Sequence, residues 1–306
     1  MVVMRHTSSA RSLRPRWAAI PAALAIIAGA AFVTVRLESG HAAEAPSRPA
    51  AVAPIEPKVA AAPAPAPSAR PSLTDAKYKD IAMQLVSSAE NSTQDWRAQF
   101  SYIEDIGDGR GYTGGLIGFT SRTHDMLALV EQYTAEHPGN GLAKYLPALR
   151  AVDGTDSHAG LGGSFEAAWR AEGAKPAFQT TQGELRDRVY FNPAVTQAKA
   201  DGLHALGQFI YYDAIVMHGP GMGSHSFGGI RAAALAKAAP PSQGGNEGAY
   251  LTAFLNARIV AMRADDAHID VSRIETAQRV FLKDGNVDLT PPLRWKVYGQ
   301  SFAIPS

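Results

Sequence analysis

Apolar residues recur at helical spacing along most of the chain after residue 72. The first such run ends near Glu90, and its apolar positions lie three or four residues apart: Tyr78, Ile81, Ala82, Leu85 and Ala89. This spacing predicts an amphipathic helix with one buried face. Glu90 would then lie at the helix C terminus, where desolvation and the negative end of the helix dipole both favour a protonated carboxyl group.

The same periodicity predicts further helices over 125–134, 142–149, 165–171, 179–188, 230–239, 247–262 and 272–282. The longest apolar run covers 194–217, with Asn192 as its cap and Pro193 in its first turn. The second half of this run is apolar on nearly all sides, so we expect one long, buried central helix. Asp213 lies inside that half, and a buried carboxylate must be paired or neutralised.

A glycine-rich segment over 107–115 separates the first two helices. So many glycines disfavour a helix, and positive φ angles suit a β-hairpin or a tight loop, which we expect here. Strands are scarce elsewhere, and the tail around Trp295 is expected to be irregular. The predicted fold class is therefore mainly α (α+β), with one small sheet.

Asp108 lies within the glycine-rich segment and is expected to project into open space. Together with Glu90 it forms a pair of carboxylates of the kind that acid–base catalysis uses. The ordinary alternative is that Asp108 bonds its own backbone in a turn and that Glu90 is solvated. Two other loops are interpreted without a catalytic role: His158 is expected to be a surface residue, and 218–225 a mobile loop.

The first 71 residues have a different composition. A segment with four arginines precedes an apolar run over 17–35, and Ala43 and Ala45 offer a cleavage site, which predicts a secretory signal over 1–45 or an uncleaved membrane anchor. Residues 46–71 are rich in Ala and Pro, as is typical of a semi-rigid spacer. We therefore expect an exported protein, secreted, periplasmic or anchored, whose folded domain covers 72–306.

The charge balance changes when this leader is set aside. Residues 1–71 contain eight Lys/Arg and three Asp/Glu, so 21 basic and 25 acidic residues remain for 72–306, a net charge of −4. A mildly acidic domain is a poor candidate for nucleic acid and a reasonable one for a cationic ligand, although −4 is also ordinary for a soluble domain. The chain has no cysteine, which excludes thiol nucleophiles, iron–sulfur clusters and thiolate zinc sites. We expect a monomer without cofactor or metal.

Several strings of the sequence resemble glycoside hydrolase family 46, the bacterial chitosanases of the lysozyme-like superfamily. They are IAMQLVSSAENS (81–92), YIEDIGDGRGYTGG (102–115), RDRVYF (186–191), QAKADGL (197–203), YYDAIVMHGPG (211–221) and QRVFLK (278–283). The resemblance spans essentially 72–306. It implies a two-lobed fold with a cleft between the lobes, and endo-acting hydrolysis of β-1,4 bonds in chitosan with inversion at the anomeric carbon.

The resemblance also implies roles for individual residues. Glu90 would be the general acid, Asp108 the general base, and Thr113 would help to hold the attacking water. An ion network that supports the acid would consist of Asp213, Arg258 and Arg273. Asp125 would bind a glucosamine amine, and the other substrate-binding residues would be Arg110, Tyr102 and Asp265.

Four positions depart from the family pattern. Thr120 stands where a cysteine is common, and Asp265 stands where a longer Glu is typical. Arg122 and His124 flank Asp125 where small residues are usual. We therefore expect extra positive charge near a subsite for a cationic sugar.

Two other functions compete with chitosan hydrolysis. A lysozyme-like hydrolase of peptidoglycan or chitin would prefer acetylated, uncharged sugars, which fits poorly with acidic subsites. A polysaccharide-binding module without activity would not need both Glu90 and Asp108.

Overall fold

The computed structural model of the protein describes residues 70–306. The predicted signal or anchor over 1–45 and almost all of the predicted spacer lie outside the described residues. Within 70–306 the chain is mainly helical, with two small antiparallel sheets, so the predicted fold class is confirmed. None of the helices in this range is long and apolar enough to cross a membrane.

The α-helices are α1 (Ala76–Glu90), α2 (Asp125–Glu136), α3 (Leu146–Val152), α4 (Gly162–Gly173), α5 (Pro176–Arg186), α6 (Asn192–Ala200), α7 (Ala205–His218), α8 (Phe227–Leu235), α9 (Glu247–Asp265) and α10 (Arg279–Lys283). The strands are β1 (Ile103–Asp105), β2 (Tyr112–Gly114), β3 (Phe119–Thr120), β4 (Leu293–Val297) and β5 (Gln300–Ile304). Short 3₁₀ turns cover Trp96–Ser101, Ala143–Tyr145 and Pro241–Gln243, and π turns cover Asp187–Phe191 and Ile274–Gln278.

Buried side chains form two separate hydrophobic clusters, which define two lobes. The large lobe comprises residues 73–90 and 190–304, with α1, α6 to α10 and the β4–β5 hairpin. The small lobe comprises residues 103–185, with β1 to β3 and α2 to α5. Ile117 and Val189 pack against both clusters and join the lobes.

Helix α1 agrees with its predicted pattern. It ends at Glu90, and its buried face includes four of the five expected apolar positions: Ile81, Ala82, Leu85 and Ala89. Near its C terminus, Ser88 is fully buried and accepts a hydrogen bond of 2.9 Å from the indole nitrogen of Trp295. The helix is thus attached to the C-terminal hairpin of the large lobe.

The prediction of one continuous helix over 194–217 is wrong. Helix α6 ends at Ala200, and α7 begins at Ala205. The break is a Schellman motif, in which Gly202 has a φ of +77°, and the N–H groups of Gly202 and Leu203 donate to Lys199 and Ala198. Gly202 takes the left-handed conformation without a side-chain penalty. Helix α7 itself is buried on nearly all sides, as expected.

Helix α6 begins at Asn192, but the prediction that Asn192 acts as an N-cap is wrong. The chain runs from α5 through the π turn at Asp187–Phe191 directly into α6, and Asn192 donates its backbone N–H to Asp187, five residues back. Pro193 lacks an N–H and cannot extend the regular ladder of α-helical bonds. The wider π turn accommodates it within one continuous helical path.

The C-terminal tail is not irregular, as the sequence had suggested, but forms the β4–β5 hairpin. Leu293, Trp295 and Val297 are buried at alternate positions, which is the period of a strand with one face in the core. Tyr298 and Gly299 form its two-residue turn with φ angles of +50° and +77°. Positive φ at both positions is the geometry of a type I′ hairpin turn.

Candidate active site

Glu90 lies at the end of α1 with its side chain only 11% exposed. Its Oε1 atom accepts a hydrogen bond of 2.7 Å from Nη2 of Arg273, which immediately precedes the π turn at Ile274–Gln278. The contact brings a guanidinium charge to a carboxyl group that also faces the negative end of a helix dipole. The positive charge of Arg273 and the negative end of the helix dipole therefore act on the Glu90 carboxyl group with opposite sign.

Arg273 belongs to a buried ion network centred on Asp213 in α7. Asp213 binds Arg273 at 2.7 Å and Arg258 of α9 at 2.6 Å, with all three side chains at most 5% exposed. Burial alone would raise the pKa of Asp213, but the two guanidinium groups outweigh it and hold that pKa well below its usual range. A buried carboxylate requires a partner of opposite charge, and Asp213 has two, Arg258 and Arg273.

Sequence analysis missed two further members of this network. Gln278 donates to Oδ2 of Asp213 at 2.6 Å, and Nε2 of His218 accepts from Nε of Arg258 at 3.3 Å. Burial and the neighbouring arginines lower the pKa of His218 to about 2, so its imidazole is neutral. His218 had been expected to belong to the loop over 218–225, but it is the last residue of α7 and is buried.

Asp108 lies in the loop between β1 and β2, which pair in antiparallel register as the predicted hairpin. Its side chain is only 4% exposed, so the expectation that it projects into open space is wrong. The carboxylate folds back onto Arg110: Oδ1 accepts from the backbone N–H at 3.0 Å, and Oδ2 accepts from Nε at 2.6 Å. Asp108 is therefore both a turn former and one half of an ion pair.

Thr113 lies on β2, and Tyr102 immediately precedes β1. Thr113 is buried in β2, and its Oγ1 atom has no hydrogen-bond partner among the described residues. A buried hydroxyl without a protein partner is suited to bind a water or a ligand. The Tyr102 hydroxyl donates to Glu104 at 3.4 Å, and burial, with the negative charges of Glu104 and Asp108, raises the pKa of Tyr102 to about 12.

Asp125 is the first residue of α2, and its Oδ1 atom accepts three hydrogen bonds. The donors are the backbone N–H groups of Thr120 and Met126 and the hydroxyl of Thr123, at 2.9 to 3.0 Å. Burial raises the pKa of Asp125, and these hydrogen bonds oppose that shift. Burial and the charge of Asp125 raise the pKa of Tyr190, a neighbour that sequence analysis missed.

Arg122 and His124, the two basic residues beside Asp125, turn towards other partners. Nη1 of Arg122 donates to the carbonyl of Gly109 at 2.8 Å, and Nδ1 of His124 lies 2.7 Å from Asp153. His124 has a φ of +71°, a backbone conformation that costs a non-glycine residue energy. Both contacts connect loops within the small lobe.

Three remaining residues lie apart from these groups or at their edge. Asp265, expected to bind substrate, pairs with His225 at 2.7 Å, while its Oδ2 atom is buried and has no hydrogen-bond partner within 70–306. His158 is in a loop as predicted, but it is half-buried, with its ring 4.4 Å from that of Tyr112. Tyr298, which sequence analysis missed, is 41% exposed. Partial burial raises the pKa of Tyr298, the charge of Arg273 lowers it, and the charge of Glu90 raises it.

The predicted residues thus form groups on both lobes. On the large lobe, Glu90 is joined to its three predicted network partners through Arg273. On the small lobe, Asp108 is joined to Arg110. The site thus contains two carboxyl groups, each in contact with a guanidinium group, and a pair of carboxyl groups is the type of side chain that general acid–base catalysis uses.

Comparisons with known proteins define the class and then the family. The sequence profile of Glycosyl hydrolase family 46 matches residues 84–293. A chitosanase from a Streptomyces species is 63% identical over 234 residues, which cover 76% of this chain and 84% of that protein. The protein is therefore an enzyme, a glycoside hydrolase. It belongs to glycoside hydrolase family 46.

Solved structures agree with this assignment. A co-crystal structure of chitosanase OU01 with substrate superposes with a TM-score of 0.75 at 60% identity, covering 77% of this chain and all of that one. A family 46 chitosanase from Gynuella sunshinyii in complex with chitotetraose gives a TM-score of 0.69 at 32% identity, covering 76% of this chain and 99% of that one. The fold is therefore that of the family 46 chitosanases.

Proposed function

We propose that this enzyme, a chitosanase, cuts chitosan at internal β-1,4 bonds by an inverting mechanism. Glu90 is the general acid that protonates the leaving oxygen. Asp108 is the general base that activates a water on the opposite face of the sugar. The two carboxylates keep separate roles throughout the reaction, because inversion proceeds in one displacement without a covalent intermediate.

One observation supports this proposal above all others. The two carboxylates belong to different lobes, each side chain is at least 89% buried, and each contacts its own arginine. A carboxyl group from each lobe is the arrangement that acid and base on opposite faces of one sugar require. Burial of both groups also shields proton transfer from bulk water.

The acid step follows from the charges of the network. With Glu90 ionised, it and its three network partners carry two negative and two positive charges, and protonation leaves one excess positive charge on the group. Donation of the proton to the leaving oxygen removes that excess. Arg273 then stabilises the carboxylate that forms, through the bond that it already makes to Oε1.

The base step uses the β1–β2 hairpin. Nε and Nη2 of Arg110 both contact Oδ2 of Asp108 at 2.6 Å, and this charge-assisted contact holds the carboxylate in place. The free hydroxyl of Thr113 lies on the adjoining strand and holds the attacking water. A water bound by Asp108 and Thr113 together would have its lone pair directed at the anomeric carbon.

Substrate binding follows from the charge of chitosan, whose deacetylated sugars are cationic. Asp125 and Asp265 bind ammonium groups by charge-assisted hydrogen bonds, with Arg110 and Tyr102 contacting the sugar hydroxyls. The unpartnered Oδ2 atom of Asp265 supports this role, since a buried carboxylate oxygen gains from a cationic donor. Acetylated sugars lack the charge and should bind less well.

The first test is the release of reducing ends from well-deacetylated chitosan. The Glu90→Gln and Asp108→Asn variants should each lose at least a hundredfold in kcat, because each removes one proton-transfer group. Glu131→Gln, which alters an exposed carboxylate of the small lobe, is the matched control and should keep wild-type activity. Near-normal activity in either site variant would refute the assignment.

Product analysis separates the remaining alternatives. Nuclear magnetic resonance of the first product should show the α-anomer, and retention of the β-anomer would exclude inversion. Faster cleavage of acetylated polymer or peptidoglycan would instead support the lysozyme-like function. Binding of chitosan without any release of reducing ends would support a module without activity.

We also propose that residues 72–306 form the catalytic domain and that residues 1–45 direct its export. Expression of 72–306 alone should give full activity on chitosan. Sequencing of the mature N terminus distinguishes a cleaved signal from an anchor, because a start near residue 46 requires cleavage.

A further inference from the structure

The loop that contains Asp108, residues 106–111, has an unusual backbone. Gly107, Gly109 and Gly111 all have φ angles near +70°. No atom lies within 4 Å of the positions where Cβ atoms of Gly107 and Gly109 would stand, so the tip of the loop is not packed against the lobe. Glycine loses more backbone entropy than other residues when it is held in one conformation. Because packing does not hold the loop tip, hydrogen bonds must offset this cost.

Some of these hydrogen bonds are local. Asp105 accepts from the N–H of Gly107 at 2.8 Å, and Asp108 accepts from the N–H of Arg110 at 3.0 Å. Bonds that span two residues shape the turn but move with it. They cannot fix the position of Asp108 relative to the rest of the small lobe.

Arg122 supplies bonds from outside the loop. Its Nη1 atom donates to the carbonyl of Gly109 at 2.8 Å, and its backbone N–H donates to the carbonyl of Arg110 at 3.3 Å. Arg122 is itself anchored, because it follows the fully buried Ser121 and its carbonyl accepts from Gly154 at 3.0 Å. The side chain thus connects the peptide between Gly109 and Arg110 to a fixed point of the lobe.

The side chain of Arg122 does little for the core. Arg122 is exposed and contributes to neither hydrophobic cluster, so its removal should leave the folded state nearly as stable. Its guanidinium charge also stands near a site for a cationic polymer, where it opposes substrate binding. A residue with this cost to binding is best explained by a benefit to the chemical step.

We infer that Arg122 is a positioning residue for the general base. It holds the carbonyl of Gly109 and thereby fixes the Asp108 carboxylate against the attacking water. This inference rests on the proposed role of Asp108.

Because Arg122 supports the base and also repels a cationic substrate, its removal should change kcat and KM in different ways. Arg122→Ala should lower kcat about tenfold, since small misplacements of a catalytic group are costly. The same substitution should leave KM for chitosan unchanged or lower it, because a repulsive charge is lost. Arg122→Lys keeps one donor and the charge, and should recover most of kcat.

Arg150→Ala is the matched control, because Arg150 is an exposed arginine of the same lobe that pairs with Glu131. It should keep kcat within twofold of wild type. Urea unfolding of each variant checks that the fold is intact. If Arg122→Ala folds and keeps kcat within twofold of wild type, or if Arg150→Ala loses as much, the inference is wrong.

A double-variant cycle separates this inference from the function on which it depends. In the Asp108→Asn background, Arg122→Ala should have no further effect on the residual kcat, because the group that it positions is already disabled. A further tenfold loss would show that Arg122 acts elsewhere. Near-normal activity of Asp108→Asn alone would instead refute the base assignment, whatever Arg122→Ala does.

Discussion

The two proposed catalytic carboxylates are held in opposite ways. Glu90 is held by residues far away in the chain, since Arg273 lies 183 positions later and is itself held by Asp213. The Asp108 carboxylate instead pairs within its own loop with Arg110, two positions later, and Arg122, which ties this loop to the lobe, lies 13 positions after Gly109. The large lobe therefore builds the acid from tertiary contacts, whereas the small lobe builds the base from local ones.

This difference has a physical consequence for stability and for activity. A buried ion network is costly to disrupt, because each remaining charge loses its compensation. A glycine-rich loop contributes little to stability, but small changes in its backbone move the group that it carries. Damage near the acid should therefore appear first as unfolding, and damage near the base as lost turnover.

The largest expected effect is on the network. Asp213→Asn should lower the free energy of unfolding by about 3 to 5 kcal/mol, because it leaves Arg258 and Arg273 buried without a full counter-charge. Urea unfolding monitored by tryptophan fluorescence measures the change. Asp108→Asn should cost only about 1 kcal/mol, since the side chain of Arg110 is 21% exposed and able to turn to solvent. Equal costs for the two variants would contradict the comparison.

The second effect is a dependence of the free energy of unfolding on pH, and it arises from His218 in the large lobe. His218 has a folded pKa of about 2, against about 6.5 when unfolded, so only the unfolded chain takes up this proton as pH falls from about 6.5. Stability should drop by about 1.4 kcal/mol per pH unit for that proton. Asp213 has a lowered pKa, so its contribution is complete above about pH 4 and is lost only in stronger acid.

Unfolding curves at pH 7, 6, 5 and 4.5 test this dependence. His218→Gln removes the titrating group and should give a shallower loss of stability over this range than wild type. His137→Gln is a suitable control, because His137 is exposed at the end of α2 in the small lobe and should not alter the slope. Parallel curves for wild type and His218→Gln would show that another group causes the acid sensitivity.

A small change in stability at Gly109 should accompany a large change in activity. Gly109→Ala places a Cβ in open space at a φ of +75°, so its cost is only backbone strain of about 1 to 2 kcal/mol. Turnover should fall severalfold or more, because Asp108 is the preceding residue. Gly285→Ala in the large lobe meets the same conditions at a φ of +67° and should cost similar stability without loss of kcat. Equal kcat in both variants would contradict the proposed sensitivity of the base loop.

Sequence analysis succeeded where a pattern is local. The apolar face of α1 and the glycine-rich hairpin are confirmed, because helix periodicity and glycine content act over a few residues. The break at Gly202 was missed because apolar periodicity continues across it, and a Schellman motif depends on backbone conformation at one residue. The β4–β5 hairpin was missed although Leu293, Trp295 and Val297 alternate, since its Tyr-Gly turn is not among the commonest hairpin signals.

The candidate site shows the same limit. The need of Asp213 for a partner followed from its apolar surroundings, but the partners themselves came only from the family resemblance, because they lie 45 and 60 positions away. Gln278 and His218 were within quoted family strings, yet no local rule distinguishes them from other polar residues. The turn-forming bond of Asp108 to the backbone had been weighed as the ordinary alternative, but its burial and its ion pair with the side chain of Arg110 were missed because a glycine-rich loop suggested exposure.

The hydrogen bond between Trp295 and Ser88 has a consequence for biosynthesis. It joins positions 207 residues apart, so the helix that ends at the proposed acid cannot complete its surroundings until the last strands have been synthesised. Contacts of such high sequence separation form late and slow the search for the native state. A chain that stops before residue 293 would contain both proposed catalytic carboxylates and still lack the hairpin that supports the acid. We therefore expect catalytic competence only after synthesis has passed this hairpin.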